Sequence, residues 1–458
     1  MKRAIQVLLV TAGLFGAAVL APTTAGAETV NLEQAVEQAL NHDPRIEEMR
    51  QLVEVARTLV GEAEGHGGWT VDGNLFLGVA PGVKGGFFEN GGCEPGNCIV
   101  RSDRYDPDGL SLWTSLKLSL IKPLYTFGKI ENFADAARAN VDVKRGDVHL
   151  QRAATVLEVK RAYYGYLAAR DTRLLLEDVR VRIDGAVALV QEWLDAGEHD
   201  IRQADLYALQ SGAALIGRYI AQAGALENVA IDGLKVLTGA GLAADLTVAD
   251  KALQPVALPE LNLEDLQQQA LANRPEMAQV EAGLRARRAL VAANKAGARP
   301  NVYAGAVGLL SYSPNRNHLD NPYISDPFND VGLSPVVGIK WDWSEGVQSA
   351  QVTRAEAELN ALIAKSAFAR EGIPFQVVEQ YHQVRAHNEA VISLAEASRA
   401  ARRWMIASFA DFEAGVDKGD KVVTALQGYV LAHTDYLRTV FDYNMHVAQL
   451  LNVTGASQ

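Results

Sequence analysis

The sequence predicts a mainly helical α+β fold, internally duplicated, in which long antiparallel helices alternate with pairs of β-strands. Three observations carry this. Leu116, Leu118 and Leu120 alternate with Lys117 and Ser119, the period-two pattern of a half-buried strand, and helical composition begins directly after a junction marked by Pro123 and Gly128. No proline occurs between Pro123 and Pro255, so that strand feeds helices of unusual length. The programme then restarts: Asn262-Leu263-Glu264, Gln269-Ala270-Leu271 and Pro275 repeat Asn31-Leu32-Glu33, Gln38-Ala39-Leu40 and Pro44 at one constant offset.

Taken in order, residues 1–27 read as a secretory signal peptide. Lys2 and Arg3 precede an apolar run, and Ala25-Gly26-Ala27 is a cleavage triplet. Residues 28–66 carry an amphipathic helix with Leu32, Val36, Ala39, Ile46, Val53, Ala56 and Val60 on its apolar side. Residues 67–122 read as a hairpin, with strands at Trp69–Val79 and Leu110–Leu120 around a long loop rich in Gly, Pro and Asp. Loops of that length inside a compact module are usually functional. This one carries Cys93 and Cys98. In an oxidising compartment a disulfide across the Pro-Gly turn is the stronger reading, and zinc the weaker one, since no His lies nearby.

Residues 123–240 form the long helices of the first repeat. Leu176, Val179, Ile183, Ala186, Val190 and Trp193 fall at alternating spacings of three and four, a heptad-type seam. A helix from Lys129 to about Ala196 would extend roughly 100 Å. Gly197 breaks it, and Arg202–Leu237 should run back antiparallel. A linker over 241–261 holds Pro255 and Pro259. The second repeat follows the same plan: a first helix over 262–300, a hairpin over 301–343 with strands Asn301–Leu310 and Val331–Trp343, and long helices over 344–458. Tyr381, Ala414-Gly415 and Thr454-Gly455 correspond to Tyr163, Ala196-Gly197 and Thr238-Gly239. In the sequence the junction recurs as VVGIKWDWSEG with Gly346, and Pro374 should kink or break the second long helix.

Composition narrows the function. The formal charge of −12 becomes −14 once Lys2 and Arg3 are removed, which suits neither nucleic acid nor any partner that needs clustered cations. None of the HExxH, P-loop, GxSxG or strand–GxGxxG–helix signatures is present, and His382 and His387 read as polar-face residues rather than ligands. The sequence therefore argues against an enzyme and calls for no cofactor or metal. Past residue 27 no apolar run reaches the ~18 residues a membrane helix needs, so entry into a bilayer would require a closed β-barrel. Trp69, Trp113, Tyr303, Trp341 and Trp343, near strand ends, would suit an interfacial aromatic girdle. Four strands cannot close a barrel alone, so this reading predicts oligomers. The competing reading is a soluble β-sandwich core.

Together, the duplication, the starts NLEQAVEQALNHDP and NLEDLQQQALANRP, the junction LIKPLYTFGKI and the paired turns AGEHDIRQADLYALQ and AGVDKGDKVVTALQ resemble the TolC-like outer-membrane efflux proteins. The resemblance spans essentially the whole mature chain. It implies a homotrimer in which four strands per chain build one 12-stranded barrel in outer-membrane lipid, above an α-helical barrel crossing the periplasm. It further implies a passive exit duct for an efflux pump or type I secretion system, docked to a periplasmic adaptor and an inner-membrane pump. The tip turns at Gly197 and Gly415 would be its periplasmic end, with Asp200, Asp205, Asp417, Asp420 and Lys421 as candidate gate residues. By position Asp205 resembles the family's first-repeat aspartate and Lys421 its second-repeat basic residue. The acidic positions expected just after Lys421 are Ala425 and Gly428 here, so Asp417 or Asp420 would have to substitute. The same residues also read simply as turn and capping residues. The alternative function is a soluble periplasmic coiled-coil scaffold or adaptor.

Overall fold

The computed structural model describes residues 28–82, 95–96, 109–197, 202–259, 262–316, 326–341, 344–416 and 419–456. The chain divides into two compact units. One comprises Met1–Asp43, Thr155–Val256 and Glu389–Met445, the other Pro44–Ala154, Ala257–Asn388 and His446–Gln458. Each unit takes segments from both sequence repeats, so the units do not follow the duplication.

In the first unit, strand β1 (Glu28–Val30) pairs in parallel with β4 (Leu246–Val248). Three residues per strand leave too little pattern to read in sequence. Helix α1 (Leu32–His42) starts on a capping box, Asn31 accepting from the Gln34 N–H while the Gln34 side chain accepts from that of Asn31. It ends at Asp43, whose extended backbone (φ −67°, ψ 113°) is what a following proline imposes. The expected single helix over 28–66 is therefore two, α1 and α2 (Pro44–Gly65). The second repeat breaks at the same place. Helix α5 (Leu263–Asn273) gives way at Arg274, just before Pro275, to α6 (Pro275–Ala296).

Helix α3 (Lys129–Asp195) has 67 residues, and the seam seen in its sequence is buried. Leu176, Val179, Ile183, Ala186 and Val190 pack with Leu206, Leu209 and Ala213 of α4 (Gln203–Thr238). Met405 and Phe412 of α7 (Glu345–Glu413) and Val422 and Leu426 of α8 (Gly419–Val453) complete the cluster. At about 1.5–3 kcal/mol per fully buried Leu, Ile or Val, this seam is the main cohesion of the unit. The segment after β4 is strapped across it. Asp250 accepts from Tyr163 Oη (2.8 Å), Asp171 accepts from the Leu253 N–H (2.7 Å), and Asn444 bonds both the Val256 N–H and the Gln254 carbonyl. Burial, with Asp250 adding to it, pushes the Tyr163 phenol well above its ordinary range.

The other unit holds the main sheet and a layer of helices. Strands β2 (Thr70–Pro81), β3 (Leu110–Tyr125), β5 (Asn301–Tyr312) and β6 (Asp330–Lys340) form one antiparallel sheet in the order β2-β3-β5-β6. The two hairpins are thus a single structure, joined where Leu116 of β3 faces Leu310 of β5. Strand β3 runs past Pro123 to Tyr125, with a register irregularity where the proline lacks its N–H. Among the helices, α2 meets α3 through Val53, Ala56 and Val141. Gln279 of α6 donates to Asp147 (2.7 Å) and the Val143 carbonyl (3.0 Å) of α3, and Arg287 and Lys295 of α6 pair with Glu358 and Glu356 of α7. Helix α7 is 69 residues long and continues through Pro374, so the break expected there does not occur. Ile373 and Val377, both buried, pin the turns on either side of the missing hydrogen bond.

Candidate functional site

Strand alternation sorts the sheet into two unlike faces. On one, register places Val71, Leu75, Leu77 and Val79 of β2 beside the even-numbered leucines of β3, with Leu310 of β5 and Val331, Leu333, Val337 and Ile339 of β6 in line. These side chains are open: Leu77 is 70% exposed, Leu333 and Val337 78% each. On the other face lie Asp72, Asn74, Ser111, Ser115, Lys117, Ser119, Ser311 and Ser334. A soluble sandwich buries its apolar face. Here it is the apolar face that is bare, the inverse pattern, which a lipid environment requires. Among the described residues no helix is long and apolar enough to cross a membrane. The strands, of 11 to 16 residues, reach or exceed the ~9–11 residues that a tilted β-span needs.

The aromatic girdle divides. Trp69 and Trp341 adjoin the ends of β2 and β6 where the strands meet the helices, each 59% exposed. Lys122 sits over the Trp69 ring (5.8 Å), an aliphatic stem on apolar surface with its charge at the rim. Trp113 and Tyr303 were expected in the same belt but point to the polar face. Trp113 Nε1 donates to Ser311 Oγ (2.7 Å), and Tyr303 crosses towards Gly338. Trp343 lies outside the described residues.

The strand-to-helix junction is a built turn. Phe127 (φ 54°) and Gly128 (φ 83°) are left-handed, the Lys129 N–H bonds the Thr126 carbonyl, and Asn132 Nδ2 donates to the Gly128 carbonyl (2.6 Å). Pro123 is inside β3, ahead of it. Gly346 does not repeat the device, contrary to the sequence parallel. It lies in the first turn of α7 and has no left-handed backbone, because the glycine of the second repeat has already been taken up by the helix. Pro123, Thr126 and Asn301 also line a groove of about 1330 Å³ that continues between α2, α3, α6 and α7. Pro123 and Asn301 belong to the polar face, so that face and the groove form one continuous surface.

The tip turns are left-handed at Gly197 (φ 77°) and Gly415 (φ 70°), where only glycine enters without strain. The Gly415 N–H bonds the Phe412 carbonyl and the Val416 N–H that of Asp411, closing α7. Asp205 is buried and its carboxylate accepts from the Arg202 N–H (3.1 Å), so it caps α4. Asp420 Oδ1 accepts from the Lys421 N–H (3.0 Å) at the start of α8. Lys421 and Thr424 line a cleft of about 380 Å³ with Trp404, Ser408 and Asp411 of α7. Asp200 and Asp417 lie outside the described residues, as do Cys93 and Cys98. Among the described residues no cluster of three or more His, Cys, Asp or Glu could hold a metal ion.

Residues 266–456 match the family described as outer membrane efflux protein. Searching curated protein sequences returned no match. Among solved structures, the outer-membrane channel OprN aligns over 93% of this chain and 90% of its own, with 18% identity and a TM-score of 0.74. The Campylobacter jejuni outer membrane channel CmeC covers 93% and 86% at 12% identity with a TM-score of 0.74. The Neisseria gonorrhoeae outer membrane channel MtrE covers 93% and 89% at 15% identity with a TM-score of 0.69. The likeness to TolC-like outer membrane efflux proteins thus holds in sequence over the second repeat and in fold over nearly the whole chain.

Proposed function

Starting from a chain that is TolC-like in both sequence and fold, we propose that it is the outer-membrane exit duct of a tripartite efflux pump. The observation that carries the reading is the sheet. Its apolar face is bare, its polar face runs on into the helix-lined groove, and among the described residues β2 and β6 are its unpaired edges. Free edges and four strands cannot stand alone in lipid, where every backbone group needs a partner. Pairing β6 of one copy with β2 of the next closes a ring by a head-to-tail contact, and three copies give the 12-stranded barrel. The helices also carry exposed apolar side chains, among them Val55 of α2 and Phe368 and Phe375 of α7.

In this reading the chain sits in the outer membrane and its helices extend into the periplasm. A periplasmic adaptor and an inner-membrane pump meet the tips, and transport through the duct is passive, with energy supplied by the pump. A type I secretion system would use the same architecture. The tip residues Asp205, Asp420 and Lys421 are the proposed gate region, Lys421 foremost because it lines the cleft between α7 and α8. A soluble periplasmic scaffold would not leave an apolar sheet face bare.

The test is ion conductance of the detergent-extracted protein in planar bilayers, wild type beside Lys421→Ala. Discrete steps that enlarge in the variant support a duct narrowed at the tip, and unchanged steps remove Lys421 from the gate. Silence, together with release of the protein from membranes by high salt, would overturn the channel.

A further inference from the structure

The polar face of the sheet is not evenly open. At the end away from the helices it is lined by residues 313–316 and 326–329, the described ends of the β5–β6 connection. Ser311 Oγ, held by Trp113 Nε1, donates to the Pro327 carbonyl (2.7 Å), and the Phe328 ring packs edge-on against Trp113 (5.3 Å). Arg316 crosses β3 to reach β2, where its Nη1 donates to the Pro81 carbonyl (3.0 Å), and its guanidinium lies over the Phe328 ring (4.9 Å). Asp326 receives Arg316 Nε (2.6 Å) and the Phe328 N–H (3.1 Å), while Asn329 Nδ2 closes back on the Arg316 carbonyl. Ser111 completes the set by accepting from the Asn315 N–H.

The burial is that of an interior. The Arg316 and Asp326 side chains are 5% and 3% exposed, and Ala80, Ser115 and Ser313, on strands or turns that would otherwise face water, are 0–1% exposed. An ion pair this deep costs several kcal/mol per charge in lost hydration, which only a fully bonded arrangement offsets. Every group involved lies within one chain, so the arrangement does not wait for a neighbouring copy.

We propose that this Arg316–Asp326–Phe328–Trp113 cluster is a collar inside the outer mouth of the duct, and that it sets the largest solute able to pass there. The inference rests on the channel reading, which places the polar face towards the lumen. Three copies would then bring three collars to one axis. Arg316 and Asp326 act as positioning residues, and Phe328 supplies the bulk.

Access from outside tests the collar without involving the tip. In a background with Cys93 and Cys98 replaced by serine, Asn74→Cys puts one thiol on the polar face of β2, four residues (about 13 Å) inward of Gly78, which pairs with Trp113. Val337→Cys puts one on the apolar face. Intact cells are treated with a small methanethiosulfonate or with a maleimide bearing a polyethylene glycol chain. The collar predicts that Asn74→Cys takes the small reagent readily and the large one slowly. Replacing both charges (Arg316→Ala with Asp326→Ala) should speed the large reagent about tenfold or more, by releasing the buried pair without stranding either partner. Phe328→Ala, which leaves the pair intact, should also speed it and covers the case in which the double variant does not fold. Fast entry of the large reagent with the collar intact overturns the proposal. Labelling of Val337→Cys by the small reagent as fast as that of Asn74→Cys instead overturns the channel reading beneath it.

Discussion

Leu75 offers the sharpest test of which solvent the sheet faces. It lies mid-strand on the apolar face of β2, about 13 Å from Val71 and from Val79, and is 63% exposed. If that face met water, Leu75→Lys would be an ordinary surface change, worth less than about 0.5 kcal/mol in either direction. If it meets hydrocarbon, a lysine near the midplane costs about 2–4 kcal/mol per chain. Ser334→Lys is the matched control, since Ser334 is also exposed but lies on the polar face opposite Val307. Its cost should stay within about 0.5 kcal/mol. Urea titration of protein reconstituted in lipid vesicles, read by tryptophan emission, measures both. A Leu75→Lys variant no less stable than Ser334→Lys would refute the assignment of faces, and with it the barrel.

Two further outcomes follow from local geometry. Gly239 (φ 77°) and Gly455 (φ 75°) end α4 and α8, and a Cβ there would meet His42 at 2.8 Å and Asn273 at 2.9 Å. Alanine at either position should cost about 1–2 kcal/mol for the left-handed backbone alone, whereas Gly61→Ala, in open space on α2, should be neutral or stabilising by up to about 1 kcal/mol. Equal melting temperatures for all three variants would contradict this. His433 bonds Ser398 Oγ (2.7 Å) between Tyr429 and Tyr436, and burial holds its pKa below the ordinary 6.5 despite the opposing pull of Asp171, with Arg402 adding to the depression. The neutral ring is the one the fold prefers, so its contribution is complete above about pH 6.5, the unfolded value, and is lost as pH falls through the lowered folded value. His433→Gln should flatten that part of the stability profile, and an unchanged slope between pH 7 and pH 5 would show that the imidazole is not responsible.

Much of the candidate site was legible because it rests on local chemistry. Gly197 and Gly415 announce left-handed turns, since no other residue enters that region as cheaply, and both turns are where the pattern breaks. The roles of the residues beside them were less legible. Asp205 reads from the sequence both as a gate carboxylate and as a capping residue, and the fold supplies the cap, the carboxylate accepting from the Arg202 N–H. The collar gave no signal at all. Arg316 and Asp326 are an ordinary cation and anion ten residues apart until the fold brings Pro81 and Phe328 to them.

The sequence by itself determined what depends on neighbours along the chain. Proline at 44 and 275 forces the preceding residue out of the helix, a heptad seam requires a long buried stripe, and repeated order at constant spacing means duplication. Only the tertiary structure decided what depends on partners far away. The register of β3 against β5 joins hairpins almost 200 residues apart and assigns each alternating position to one of two faces. Period-two alternation says that the faces differ; it does not say which one meets the solvent. Trp113 and Tyr303 turned to the polar face, and Leu75, Leu333 and Val337 were left bare, because pairing distributes side chains by parity, whatever their polarity.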